Sequence, residues 1–194
     1  MPDAQMAADS FIAIAWVTLA ALWAILSINV KRTVRHETQL SRLLHLGPLA
    51  LAVLLLLDRS DMPNILRAPL IQPRAAWMAY AGAVLVAAGL GLCIWARLVI
   101  GTNWSGSVTV KQSHELVTSG PYALARHPIY TGLLLAFLGT SIAMDEARGI
   151  LALVIVALLF LRKMRTEEAF MRATFGAQYD AYSARVAALV PGVF

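Results

Sequence analysis

Arg126, His127 and Tyr130 bracket a proline, Pro128, in a pattern that suits the mouth of a binding site. Proline fits the first turn of a helix, because the N–H it lacks is one that a helix start leaves unpaired anyway. The other free N–H groups of that turn, with Arg126 and His127 beside them, make a donor-rich surface. Beyond the next two apolar runs stand two adjacent carboxylates, Glu167 and Glu168. Opposite a pocket of His, Arg and Tyr, such carboxylates can hold a polar or cationic ligand. Taken singly, each residue has a plainer role. His114 in a polar loop is ordinarily a solvated histidine. Tyr122, Tyr130, Tyr179 and Tyr182 suit interfacial anchors. Arg126, Arg162, Lys163 and Arg165 suit the basic flank of a membrane span, and Glu167 and Glu168 a helix start favoured by the dipole.

The elements that must position these residues are membrane spans. Of 194 residues, 59% are hydrophobic and 14% charged, and the mean hydropathy is +0.69. A soluble domain carries about a quarter charged residues, so much of this surface faces lipid. The net charge of +5 lies in short runs between apolar segments, as membrane topology requires, which argues against nucleic acid as a partner. Cys93 is the single cysteine and sits in an apolar run, which excludes a disulfide framework and a Cys-based metal site. The 4 histidines are scattered without carboxylate spacing, so no metal is expected.

The apolar pattern predicts an all-α integral membrane fold with about five transmembrane helices and a C-terminal amphipathic interfacial helix. The spans run over Ser10–Val30, Leu43–Leu57, Ala75–Ile100, Ile129–Met144 and Gly149–Leu161, with Pro48 as a kink or opening turn in the second. No cationic stretch precedes the first run, which is too long for a signal peptide and reads as a retained span. Gly82, Gly89 and Gly91 in the third suit close helix packing. The last two spans form a hairpin across Asp145–Arg148, and each is short enough that the hairpin could instead be buried or re-entrant. Residues 1–98 thus supply three spans. Residues 99–194 supply a polar loop from Gly101 to Arg126, the hairpin, and an amphipathic helix from Arg162 to Tyr182 broken at Gly176, all within a single membrane domain. A loop of that length is usually functional or disordered.

Lys and Arg are biased to one side. The face holding the Lys31–Arg42 loop, the long loop and the C-terminal tail carries most of them; the other holds only Arg59, Arg67, Arg74 and Arg148. The N-terminus is therefore expected outside and the C-terminus in the cytosol, so the loop and C-terminal helix share one face. The Ala- and Arg-rich usage points to a bacterial inner membrane.

The stretch His114-Glu-Leu-Val-Thr-Ser-Gly-Pro-Tyr122, followed by Arg126-His-Pro-Ile-Tyr130-Thr-Gly132, resembles the cofactor signature of the isoprenylcysteine carboxyl methyltransferases and related membrane phospholipid methyltransferases. Glu167-Glu168, then Phe175-Gly176-Ala-Gln-Tyr179 and Tyr182, resemble that family's C-terminal motif, and Gly101-Thr-Asn103-Trp104 also has a counterpart there. The likeness runs from about Ala96 to the C-terminus. It implies a transferase that uses S-adenosylmethionine. By motif position, His114, Leu116 and Val117 would border the adenosine. Gly120, Tyr122, Arg126, His127, Pro128 and Tyr130 would line the rest of the cofactor pocket. Glu167 or Glu168 would bind its polar groups, Arg165 or Arg162 would face the methyl acceptor, and Asn103 and Trp104 would lie near the reaction centre.

A water-soluble cationic cofactor must arrive from the cytosol, whereas a lipophilic acceptor must enter sideways from the membrane. A site at the cytosolic surface serves both. The first three spans match no family motif, and acceptor recognition resides largely there. A phospholipid amine and a thiol therefore stand beside the isoprenylcysteine-like carboxylate. A non-enzymatic scaffold or transporter subunit is the competing class, but a transporter should carry ionisable residues inside its spans.

Overall fold

The computed structural model describes residues 2–28, 33–35, 39–57, 62–72, 75–104, 110–111 and 115–192. The chain folds into helices α1 (Pro2–Leu26), α2 (Gln39–Leu57), α3 (Ala76–Ile100), α4 (Pro128–Met144), α5 (Ala147–Phe175) and α6 (Ala177–Ser183). A short antiparallel ladder joins β1 (Thr33–Arg35) to β2 (Val110–Lys111). Single 3-10 turns at Gly101–Asn103 and Gly120–Ala123 break the long loop. The segments Gln5–Leu26 and Trp77–Asn103 are long and apolar enough to cross a membrane; Leu46–Leu57 and Pro128–Met144 are apolar but shorter.

One feature differs from the sequence-based expectation, and another is decided between its alternatives. Helix α5 does not end at Leu161 but continues unbroken to Phe175. The amphipathic segment is therefore the extension of the hairpin helix, and Gly176, at φ 51°, bends the chain into α6. Pro48 lies inside α2, where the kink alternative puts it, and not at an opening turn.

The tightest packing joins α3 to α4, because small residues let the backbones meet. On α4, Gly132, Ala136, Gly139 and Ala143 share one face at helical spacing. A Cβ on Gly132 would stand 2.4 Å from the Gly89 carbonyl oxygen, and one on Gly139 would stand 2.6 Å from that of Gly82. The expected packing role thus holds for Gly82 and Gly89 but not for Gly91, where an added Cβ meets nothing within 4 Å.

At the opposite end from the long loop, Arg148 is completely buried at the start of α5. Its Nη1 donates to the Leu55 carbonyl at 2.8 Å, satisfying an acceptor near the end of α2, and its Nε pairs with Glu146 at 2.5 Å. Residues 66–71 lie across this corner: Arg148 N donates to Leu66 O, Ala147 N to Ala68 O, and Leu70 N to Asp145 O. α1 packs mainly on α3, and α2 on α5, with α4 in contact with both halves.

Gly132→Ala is expected to lower the thermal midpoint of the detergent-solubilised protein, at a cost of about 1–3 kcal/mol. Gly91→Ala should leave the midpoint unchanged or slightly raised, because alanine is the better helix former. Equal midpoints for the two variants would contradict the close-packed α3–α4 interface.

Candidate functional site

His127 caps α4, and Pro128 occupies its first turn, as the motif requires. That turn faces the last third of α5, where helical spacing separates the two carboxylates. Lys163, Glu167 and Met171 share one face at intervals of four, and Glu168 lies about 100° further round. Lys163, Glu167 and Met171 line a cavity of about 640 Å³. Glu168 turns away from it towards the framework.

Glu168 is the centre of a clamp. Its Oε1 accepts from Arg126 Nε at 3.0 Å and Nη2 at 2.9 Å, and lies 3.2 Å from His127 Nε2. Arg172, one turn along α5, stands 3.9 Å from its other oxygen. Arg126 Nη1 donates to the Ser183 carbonyl at 3.1 Å and also to that of Val186. The C-terminal tail follows the same line: Arg126 N donates to Ala187 O at 2.8 Å, His127 N to Ala188 O at 3.0 Å, and Thr131 Oγ1 to Leu189 O at 2.8 Å. Tyr182 Oη, buried, donates to Tyr122 O at 2.7 Å. The tail is thus stitched along the motif through its own carbonyl groups.

Glu167 faces the cavity instead. Its Oε1 accepts from Tyr130 Oη at 2.6 Å, and its Oε2 lies 3.6 Å from His127 Nδ1. His127, Tyr130 and Phe160 stack in series, with centroids 5.5 and 4.6 Å apart, and Lys163 Nζ lies 5.7 Å from the Tyr130 centroid. Burial pulls the Glu167 carboxyl up, but hydrogen bonding to His127 and the charges of Lys163 and His127 hold it below the ordinary 4.5. Burial likewise opposes protonation of His127, yet its bonds to both carboxylates raise it above 6.5. Glu168, hydrogen-bonded to His127 and Arg126 against the opposing effect of burial, is brought down to about 2. Burial pushes Tyr182 up to about 12 and also raises Tyr122, where Glu167 adds to the effect. Both phenols therefore stay neutral donors.

Across the cavity, Arg97 holds the turn that bears Asn103 and Trp104. Its buried guanidinium donates from Nη1 to Gly101 O at 2.7 Å and from Nη2 to Leu26 O, and it lies 4.7 Å over the Trp104 ring. Trp104 meets Trp23 of α1 edge-on at 6.0 Å. Asn103, Trp104, Leu116, Val117 and Tyr122 line the cavity together with Arg126, His127, Pro128 and Tyr130. Beyond this polar mouth the cavity continues between α1 and α2 as an arm whose described walls are apolar.

Most of the predicted site residues therefore converge; Glu168, turned to the framework, does not, and there are further exceptions. Arg165 is exposed and stays off the cavity, as does Arg162; on α5 it is Lys163, one turn before Glu167, that lines the cavity. Arg126 borders the cavity, but its guanidinium is committed to Glu168 and the tail. Gly120 lies outside the lining and serves a turn at φ 59°, against Val99. His114 lies outside the described residues. Sequence reasoning missed Lys163, which the four-residue spacing to Glu167 would have singled out. It also missed the roles of Arg97 and the tail, and the tail acts through backbone carbonyls that leave no side-chain signature.

The family described as "Phospholipid methyltransferase" matches residues 77–178. The chain is 30% identical over 120 residues to "Protein-S-isoprenylcysteine O-methyltransferase B" of Arabidopsis thaliana, covering 60% of this chain and 61% of that protein. It is 33% identical over 105 residues to "Cobalt-zinc-cadmium resistance protein CzcN" of Cupriavidus metallidurans, covering 53% of this chain and 48% of that one. A solved structure of a eukaryotic intramembrane Ras methyltransferase, isoprenylcysteine carboxyl methyltransferase, superimposes with a TM-score of 0.56 at 28% identity, over 60% of this chain and 43% of that one. The chain thus spans less than two thirds of the length of the relatives it matches.

Because His127 binds its proton more tightly in the folded state, its contribution to stability is complete below the unfolded value of 6.5 and is lost as pH rises through the raised folded value. Glu168 acts in the opposite sense: its contribution is complete above 4.5 and is lost as pH falls towards about 2. NMR of histidine-labelled protein should find His127 titrating above 6.5, with its midpoint lowered in Glu168→Gln. Titration at or below 6.5 in the unsubstituted protein would contradict the clamp.

Proposed function

As a member of the phospholipid methyltransferase family, this chain is an enzyme for which we propose methyl transfer from S-adenosylmethionine to a lipophilic acceptor, in the manner of isoprenylcysteine carboxyl O-methylation. One observation carries the reading: a cavity with a carboxylate mouth continues into an apolar arm, so one site can receive a charged soluble donor and a membrane-dissolved acceptor. The names of relatives sharing about 30% identity, and of the superimposing structure, support it.

The mouth fits the donor. Glu167, held ionised, offers a counter-charge and a hydrogen-bond acceptor, with Tyr130 and His127 fixing its orientation. Leu116, Val117 and Tyr122 would border the adenosine, and Glu168 would hold the wall rather than touch the ligand. When bound, S-adenosylmethionine supplies a methyl group on a sulfonium sulfur: the acceptor's lone pair bonds to the carbon as the C–S bond breaks and its electron pair returns to sulfur, leaving a neutral thioether. Charge is lost on the way, so the protein's task is alignment and exclusion of water. The aromatic stack and the tail close the mouth on two sides, and Asn103 and Trp104 flank the acceptor. A carboxylate acceptor needs no base, and Lys163 offers it a positive partner.

The chain is read as crossing a bacterial inner membrane about five times, with its N-terminus outside and the site on the cytosolic face. The basic bias of that face supports the orientation. The acceptor would slip in between α1 and α2, past exposed Ala20 and Val53.

With protein in lipid nanodiscs, methyl-labelled S-adenosylmethionine and an S-isoprenylated cysteine, label should appear in a base-labile ester. Glu167→Gln should lower kcat/KM by about 10- to 100-fold, as expected for loss of a charged hydrogen bond. Lys163→Ala should cost more than Arg165→Ala. Failure of the folded protein to transfer label to carboxylate, amine or thiol acceptors would overturn the reading.

A further inference from the structure

Trp16 and Trp23 stand seven residues apart on one face of α1, with Leu19 and Ala20 between them, and this stripe walls the apolar arm of the cavity. Trp16 is at its far end. Among the described residues, the lining on α4 runs no further than Phe137, the residue that Trp16 meets, and on α2 no further than Val53. From His127 to Phe137 the axis of α4 rises about 15 Å, so the arm has a finite length.

The indole at this end is fixed. Its Nε1 donates to Thr140 Oγ1 at 3.1 Å, and its ring meets Phe137 edge-on at 5.2 Å. The Thr140 hydroxyl is buried and lies 2.9 Å from the Ala136 carbonyl of its own helix, so its position is set as well. Swinging the indole aside would leave an N–H without a partner in an apolar interior, an unfavourable state. Trp16 also packs against both apolar cores, the one formed by α1, α3 and α4 and the one formed by α2, α4 and α5. Trp16 therefore lies at the seam between them, as does Leu133 of α4.

We propose that Trp16 is the specificity-determining stop that sets how long an acceptor chain the site accepts. This rests on the methyl-transfer reading above. An acceptor entering between α1 and α2 with its reactive head at the carboxylate mouth lays its chain along the stripe until it meets the indole. A chain ending short of Trp16 leaves apolar surface unfilled, and a longer one must buckle towards the opening.

The test uses full-length protein in nanodiscs and a series of S-prenylated cysteines lengthened by one isoprene unit at a time. In the unsubstituted protein kcat/KM should rise with chain length and then break. Trp16→Ala should move the break to a longer chain and raise kcat/KM for the first disfavoured acceptor by about tenfold or more, chiefly through KM. The affinity of the corresponding methyl-ester products, measured by calorimetry, should shift in parallel. Binding of S-adenosylhomocysteine should be unchanged, showing that the donor site is intact. If Trp16→Ala does not fold, Trp16→Leu carries the same expectation, and Thr140→Val, which releases the indole, should blunt the break. An unchanged break in a variant that still binds S-adenosylhomocysteine overturns the proposal. Methylation of no acceptor by unsubstituted protein that binds S-adenosylhomocysteine overturns instead the methyl-transfer reading beneath it.

Discussion

Two adjacent carboxylates must be held ionised at the edge of an apolar structure, and the architecture of the end that bears them follows from that. Burying a charge is tolerable only when it is paired and hydrogen-bonded, and removing one partner of such a pair costs about 3–5 kcal/mol. Glu168 draws Arg126, His127 and Arg172 to itself. Arg126 in turn binds the tail carbonyls, and so fixes residues 183–189 along the start of α4. With that charge satisfied inside the framework, Glu167 can turn its carboxylate to the cavity, braced by Tyr130 and His127. One residue of rotation along α5 divides the pair into a framework-facing and a cavity-facing member.

The second constraint is hydrocarbon. α3 and α4 meet backbone to backbone through glycine and alanine, making a rigid spine against which α1 packs on one side while α5 packs on the other. α2 joins the α5 side. The two halves therefore share α4 but leave a cleft between α1 and α2, and the cavity's apolar arm occupies it. Trp16 is tied to Thr140, and Arg148 to the last turn of α2 and to Glu146. A chain with so few internal charges places them where each closes a specific joint.

Much of this could be read from residue order. Apolar runs located each long helix, Pro128 marked the start of α4, and the spacing of Gly82 and Gly89 announced a close approach. Motif order brought Asn103, Trp104, Leu116, Val117, Tyr122, His127, Tyr130 and Glu167 to one cavity. What could not be read depended on direction around a helix or on the backbone. Gly91 resembles Gly89 in sequence but points away from α4. Arg165 and Lys163 are equally basic, and only the phase of α5 decides which reaches the cavity. The continuation of α5 past Leu161 was obscured because its sequence changes from apolar to charged while its helix does not. Tail residues such as Ala187 and Ala188 act through carbonyl oxygens that every residue carries.

The division of labour between the two carboxylates is the central claim, and thermal unfolding with and without S-adenosylhomocysteine tests it directly. Glu168→Gln should lower the midpoint of the ligand-free protein more than Glu167→Gln does, because it loosens Arg126 and the tail. Glu167→Gln should instead lose the larger part of the stabilisation that the ligand confers. Equal loss of the ligand-induced shift in both variants, or no such shift in the unsubstituted protein, would contradict the account.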